Sequence, residues 1–502
     1  MIWVTPLGRR PSVETNGRSQ AGSTSLTGAP GRRPGDLEGR GRARGITAAY
    51  SALLVTVLAV FALFGCALPR ETTSERPNVL LVVTDDQPAT TVRHMPKLKK
   101  FVGERGVSFE RAYLVDPLCC PSRATILTGK YTHNHGVTNN HYRKGGARKF
   151  REEGLHRDTI GTRLNEAGYA TGYFGKWMNG YEGGYVPPGW DRWFAFSGNL
   201  NGPDSYAVNS DGQPRTFSRE QNETDLLRDE ATAFVESHRD EPWMAVVATH
   251  APHGPYWPLP RHEHRFDGVK LPKTPAFDED DVSAKPEAYR RGPLSGGEKR
   301  KLRRAYEGKL EALQGVDDLV GGLVSALKET KQLENTYVVY LTDNGYLLGE
   351  HRHEAKGKPY EGSIRTPMLV RGPGVPAGER REELAANVDL APTIAAWAGA
   401  PPPENPDGRS LSPVLSSSPP DSWRKALLIE HFVGSDWVGL RTPRYMYVEH
   451  EGGDRELYDM HKDPYQIDNI HGRADDALLG SLRSRLDDLK DCAGARCREA
   501  EG

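Results

Sequence analysis

The sequence predicts an α/β fold, with a mainly parallel central sheet flanked by helices and a smaller C-terminal antiparallel α+β subdomain. Three apolar runs, PNVLLVVTDDQ (77–87), PWMAVVATHAPHGPY (242–256) and NTYVVYLTDNG (335–345), read as strands buried on both faces. Between them lie segments with helical apolar spacing: MPKLKKFVGERG (95–106), DTIGTRLNEAGY (158–169), LLRDEATAFVESH (226–238) and YEGKLEALQGVDDLVGGLVSALKET (306–330). Strands alternating with helices are the pattern of a parallel sheet. Ligands of such sheets bind beyond the carboxyl ends of the strands. All three runs end in reactive side chains there: Asp85 and Asp86, His250 and His253, Asp343 and Asn344.

The 502-residue chain carries 66 basic against 67 acidic residues, so its charge gives no case for a nucleic-acid partner. Residues 1–45, rich in Arg, Gly, Ser and Pro, read as a disordered basic region. Residues 46–68, ITAAYSALLVTVLAVFALFGCAL, have no charge and follow Arg40, Arg42 and Arg44, as an export signal or membrane anchor would. Their end, Leu63-Phe64-Gly65-Cys66, is similar to a bacterial lipobox, in which Cys66 would carry a lipid. Lipoprotein and transmembrane anchor both stay open, and both make the rest of the chain an exported protein, at the cell surface or secreted. Cysteine usage agrees with export, because Cys492 and Cys497 are spaced to close a small disulfide in an oxidising compartment.

A catalytic domain is expected over 76–400 and the C-terminal subdomain over 401–502. Beyond Ala398, GAPPPENPDGRSLSPVLSSSPPDSW suits a linker or surface loop. KALLIEHFV, WVGLRTPRYMYVEHEG and RELYDMHKDP then read as short strands with turns, and LGSLRSRLDDLKD as a closing helix. Residues 267–300 read as a polar, mobile loop, and 180–222 carry no legible signature.

Asp85, Asp86, Asp343 and Asn344 make an oxygen-rich donor set that suits Ca2+, with Mg2+ the alternative. Each pair alone is explained by helix capping or an Asx turn; two pairs after matching strands favour a metal. The stretch LCCPSRATILTG (118–129) sets adjacent Cys119 and Cys120 before Pro121, Ser122 and Arg123 at an expected helix start. A reactive group there would face an anion site, with Arg123 supplying charge to a tetrahedral oxyanion.

CCPSRATILTG is similar to the sulfatase signature Cys-x-Pro-Ser-Arg followed by Leu-Thr-Gly, and residues 77 to about 400 resemble a sulfatase catalytic domain of the alkaline phosphatase superfamily. With KYTHNHGVTNN, the doubled cysteine looks most like the N-acetylglucosamine-6-sulfatase branch. The resemblance implies that a formylglycine-generating enzyme oxidises Cys119 to Cα-formylglycine (3-oxoalanine), whose hydrate forms and then eliminates a sulfoenzyme, while Cys120 fills a variable position. It implies that Asp85, Asp86, Asp343 and Asn344 hold Ca2+ together with residue 119, and that Arg123 steadies the hydrate. Lys176 in GYFGKWMNGY and Lys356 in EAKGKPYEG match sulfate-binding lysines, with Lys358 the rival of Lys356, and His253 matches the histidine near the leaving oxygen. Where many arylsulfatases have a His two residues after the first lysine, this chain has Met178 followed by Asn179; Asn179 and His250 are the expected substitutes. His133, His135, His351 and His353 are left to structural roles, although His351 follows Asp343 and Asn344 closely enough to line the pocket.

The implied function is hydrolysis of sulfate esters, on a sulfated sugar or glycan. A phosphonate monoester or phosphodiester hydrolase of the same superfamily remains open, because it shares the cysteine motif. So does a non-catalytic sulfoglycan-binding lipoprotein, against which the full set of site residues argues.

Overall fold

A computed structural model describes residues 76–502. The basic region, the 46–68 segment and Cys66 lie outside the described residues. Among the described residues, no helix is long and apolar enough to cross a membrane.

The first strand, β1 (Asn78–Thr84), is buried throughout. Its period of two sends Val79, Leu81 and Val83 into one core and Leu80 and Val82 into another. A continuous apolar run is therefore what a strand covered on both faces requires. The chain continues through helix α1 (Cys119–Thr128), strand β2 (Ala170–Gly175), helix α2 (Glu223–Ser237), strand β3 (Trp243–Ala248), helix α3 (Gly296–Glu329) and strand β4 (Thr336–Thr342). In the ten-stranded sheet, β4, β1, β3, β2 and Arg192–Ser197 lie side by side and run parallel. Val82 of β1 is level with Val247 of β3 and Tyr340 of β4, so the three strands end together.

Antiparallel strands extend both edges. Ser205–Ser210 and Gln213–Ser218 continue the sheet beyond Arg192–Ser197, within the stretch that had no signature. On the far side Met368–Arg371 runs antiparallel to β4 and to Val107–Phe109. The separate C-terminal sheet is a four-stranded antiparallel meander of Leu427–His431, Trp437–Arg441, Tyr445–His450 and Arg455–Asp459. The helix Asp476–Lys490 buries Leu482, Leu486 and Leu489 beside it. Cys492 and Cys497 are joined as a disulfide just beyond that helix.

Two expectations need correction. The segment 267–300 is not wholly loop, because α3 begins at Gly296 behind a capping box in which Glu298 N–H donates to Ser295 Oγ at 3.2 Å and Ser295 N–H to Glu298 Oε2 at 2.8 Å. The opening GGEKRK has no apolar stripe, so hydrophobic periodicity cannot find this start. Upstream, Ala276, Val282 and Tyr289 are buried rather than solvated. The Pro- and Ser-rich stretch after Ala398 is irregular, yet its Leu411, Val414 and Leu415 are packed in the main core.

His133 pins the C-terminal elements to the segment after α1. Its Nδ1 lies 2.9 Å from Glu430 Oε2, and its Nε2 lies 2.9 Å from the Cys492 carbonyl. Burial opposes protonation of His133, but Glu430 raises its pKa to about 9. A folded pKa above the unfolded value of about 6.5 contributes stability that is full below the unfolded value and is lost as pH rises through the folded one. His133→Gln should therefore lower the urea midpoint near about pH 6 and have lost most of that effect by about pH 10. Equal destabilisation at both pH values would contradict the pairing.

Candidate active site

The aligned carboxyl ends of β1 and β4 bring four polar residues together. Asp343 N–H donates to Thr84 O at 2.9 Å, and Asp86 N–H points to Asp343 Oδ1 at 3.4 Å. Asp85, Asp343 and Asn344 are fully buried and Asp86 nearly so. Asp86 turns the chain at φ 61°, a left-handed value that non-glycine residues seldom adopt. Asn344 Nδ2 donates to Asp86 Oδ1 at 2.5 Å.

Helix α1 supplies the fifth member. Cys119 stands in its first turn, and all ten residues of the helix are buried. Gly129 ends it at φ 70°, which favours glycine, and a Cβ there would be tight, 3.1 Å from Pro392 Cδ. One ligand atom each from Asp85, Asp86, Cys119 and Asp343 lie within 4.8 Å of one another. Three carboxylates and an amide oxygen, all hard donors buried in one place, fit a hard divalent cation.

Basic groups ring the acids. Arg123 Nε donates to Asp343 Oδ2 at 2.8 Å and its Nη1 to the Lys176 carbonyl at 2.5 Å. Its buried Nη2 has no hydrogen-bond partner among the described residues and lies 3.9 Å from Asp85 Oδ2. The Lys176 ammonium pairs with Asp85, and that of Lys356 with Asp86. Lys356 Nζ also donates to Cys119 Sγ at 2.9 Å and to Asn344 Oδ1 at 3.1 Å. Lys358 turns away, with its Nζ 4.3 Å from the centre of the Tyr289 ring. His253 Nε2 lies 3.6 Å from Asp86 Oδ2.

The electrostatics follow from this crowding. Burial works against the charged form of Asp85, yet Lys176, His253 and Lys356 hold its pKa well below the usual range. Asp86, likewise buried, is held at about 2 by Lys356 and His253. For Asp343, burial and the neighbouring Asp85 win, and its pKa rises to about 6. Burial pulls His253 down to about 4 against the pull of Asp85 and Asp86. Burial and Asp85 push the Cys119 thiol up to about 12, so the unmodified side chain is protonated and a poor nucleophile at neutral pH.

Cys120 has different neighbours. Its Sγ accepts Asn179 N–H at 3.2 Å and lies 3.6 Å from Asn179 Oδ1, while its own N–H donates to Asn140 Oδ1 at 2.9 Å. Asn179 therefore meets the second cysteine rather than residue 119. His250 Nδ1 lies 3.1 Å from Glu223 Oε1, and its ring centre 5.0 Å from that of His253, so it adjoins the site through His253. The four histidines left to structural roles also stand apart from the cluster: His135 Nε2 lies 3.1 Å from Thr125 Oγ1, His351 Nδ1 2.6 Å from Glu279 Oε2, and His353 Nε2 2.9 Å from Tyr289 O, with His133 at Glu430 as above.

Two neighbours of the cluster were not read from the sequence. Asn140 closes the KYTHNHGVTNN stretch, which was read only as a mark of the branch and gave this residue no role. Lys309 is a lysine in an amphipathic helix, which reads as a solvated charge, but it is fully buried against Asp86 and Pro252.

Residues 77–400 match the family model described as Sulfatase. The chain belongs to the sulfatase family. A second model, described as N-sulphoglucosamine sulphohydrolase, C-terminal, matches residues 349–491. Among curated sulfatases, the chain is 33% identical over 519 residues to the N-acetylglucosamine-6-sulfatase of Homo sapiens, covering 93% of each. It is 36% identical over 377 residues to the putative extracellular sulfatase Sulf-1 homolog of Caenorhabditis elegans, covering 70% of this chain and 52% of that protein, so it spans about half the length of that relative. Among solved structures it is similar to a protein in complex with its substrate D-glucosamine-2-N,6-O-disulfate, at 25% identity and a TM-score of 0.73, covering 85% of this chain and 99% of that one.

The donor set predicts cation-dependent stability. A divalent cation at about 100 times its Kd should stabilise the fold by about 2.7 kcal/mol, read as a rise in the denaturation midpoint. Asp343→Asn should remove most of that rise. A wild-type midpoint that ignores added cation would contradict the site.

Proposed function

We propose that this sulfatase hydrolyses sulfate esters of sugars, and that residue 119, converted from Cys119, carries the reaction. The observation that supports this most is the setting of Cys119: at the first turn of a buried helix, 2.9 Å from Lys356 Nζ and 3.6 Å from Asp85 Oδ1, inside a cluster of acids and cations. A thiol pushed to about 12 makes little sense as a nucleophile but is compatible with a precursor. Cα-formylglycine at this position, once hydrated, would supply one hydroxyl for attack on sulfur as the bond to the alcohol oxygen breaks, and a second whose deprotonation would re-form the aldehyde as the C–O bond to sulfate breaks. Asp85, Asp86, Asp343 and Asn344 are the residues that would hold Ca2+, which supplies further neutralising charge when bound.

The chain's own groups divide the remaining work. Lys176 and Lys356 balance the charge of the sulfuryl oxygens. Arg123, fixed by Asp343 and the Lys176 carbonyl, keeps Nη2 free for an oxygen on residue 119. His253 gives its proton to the bridging oxygen of the leaving alcohol. The negative charge of a bound sulfate favours the imidazolium form that this step needs.

A glucosamine-type sulfated sugar is favoured over an aryl sulfate by the human N-acetylglucosamine-6-sulfatase and by the structural neighbour's disulfated glucosamine. Export is supported by the extracellular relative and by the Cys492–Cys497 disulfide, and it would bring the chain to its formylglycine-generating enzyme. The 46–68 segment and Cys66 would then tether the protein to the membrane as an anchor or through a lipid.

Cys119→Ser should lose turnover on 6-sulfated N-acetylglucosamine by about 1,000-fold or more, whereas Cys120→Ser should stay within about fivefold of wild type. Wild type should also prefer a sulfate ester to the matched phosphonate and phosphate esters. Loss of activity in Cys120→Ser alone would reassign the converted residue, and a preference for the phosphonate would replace the sulfatase reading by the phosphonate hydrolase.

A further inference from the structure

We propose that Lys309 is a positioning residue that holds the His253 loop in register with Asp86, a role that rests on the sulfatase reading above. Lys309 lies on α3 and is fully buried, a rare place for a lysine. Its Nζ donates to two backbone carbonyls, Asp86 O at 2.9 Å and Pro252 O at 3.1 Å. Two aromatic rings also face the ammonium, with centres 3.8 Å away for Tyr346 and 5.5 Å for Tyr256, and such faces replace part of its lost hydration. Asp86 follows β1, Pro252 and Tyr256 flank His253 after β3, and Tyr346 follows Asn344 after β4. One ammonium therefore meets all three strand-end loops that build the site.

The neighbouring residue is fitted to the same arrangement. A Cβ at Gly308 would lie 2.4 Å from Tyr256 Cδ2, so glycine lets that ring approach α3 beside Lys309.

The two loops depend on Lys309 unequally. Asp86 is held without it, by Asn344 Nδ2 at 2.5 Å and by Asp343 Oδ1 at 3.4 Å from its N–H. His253 is held mostly from within its own loop, with its N–H donating to His250 O at 2.9 Å and its Nδ1 2.5 Å from Gly254 O. Apart from the 3.3 Å contact of Asp85 N–H with Ala251 O and the 3.6 Å approach of His253 Nε2 to Asp86 Oδ2, Lys309 is, among the described residues, the hydrogen-bonded bridge from the Asp85–Asp86 turn to this loop. Losing it should displace His253 more than Asp86.

That asymmetry gives a chemical signature. A proton from His253 matters for a poor leaving group such as a sugar alkoxide, and little for 4-nitrophenolate, the anion of an acidic phenol. Lys309→Met keeps the length and removes the donors; Lys309→Arg keeps a buried cation. With residue 119 converted equally by mass, Lys309→Met should lose about 100-fold in kcat on 6-sulfated N-acetylglucosamine with KM changed less than about threefold, but less than about fivefold in kcat on 4-nitrophenyl sulfate. Lys309→Arg should recover part of the loss on the sugar. Without substrate, the 15N resonances of the His253 ring should move in Lys309→Met and stay in place in a surface control, Lys331→Met. Equal losses on both esters, or no loss on the sugar, would overturn the role. If Lys309→Met does not fold, the same comparison is read from Lys309→Arg. A wild type with residue 119 converted that hydrolyses neither ester would instead overturn the sulfatase reading, and this role with it.

Discussion

Three carboxylates buried at the ends of two adjacent parallel strands are the constraint on which the site depends. Removing such charges from water is costly unless partners stand close and hydrogen bonds are complete. Asp85, Asp86 and Asp343 are therefore met by Arg123 from α1, by Lys176 from the end of β2 and by Lys356 from the segment after β4. Each cation comes from a different element, so the acids tie the sheet, the α1 helix and the C-terminal half of the catalytic region to one point. Burial and the neighbouring Asp85 leave Asp343 with a raised pKa, and Arg123 Nη2 is a buried donor with no hydrogen-bond partner among the described residues, which suits a site prepared for a further cation and an anionic substrate.

The paired cysteines show how one helix start separates two nearly identical side chains. Cys119 faces Lys356 and Asp85, whereas Cys120 faces Asn179 and has its backbone N–H held by Asn140. Successive residues at a helix start point in directions about 100° apart, so one thiol enters the charge cluster and its neighbour is left in a polar contact outside it. Chemistry at residue 119 is thereby isolated without any need for the second cysteine to be absent.

Much of this was legible in the sequence for a physical reason. The strands β1, β3 and β4 are uninterrupted apolar runs that stop at polar residues, and that pattern fixes both their burial and where their functional ends lie. The α1 helix and its cysteines were marked by a short motif; Lys356 was preferred to its rival Lys358 for its spacing before Tyr360, and the fold sends Lys356 to Asp86 and Lys358 over Tyr289. The antiparallel strands Ser205–Ser210 and Gln213–Ser218 went unread because strands toward a sheet edge need no continuous apolar run. Asn179 and His250 were assigned by analogy with a missing histidine, and their contacts with Cys120 and Glu223 are set by loop paths that no local pattern encodes. Lys309 was invisible for the opposite reason, because a lysine in an amphipathic helix carries the signature of a solvated face.

The central claim is that Cys119, and not Cys120, becomes the reactive group of this charge cluster. Mass spectrometry of the tryptic peptide Ala112–Arg123, from protein exported by a host with formylglycine-generating activity, tests it most directly. The account predicts a loss of about 18 Da located at residue 119, with Cys120 still a thiol. Two unmodified thiols, or the loss located at residue 120, would contradict it.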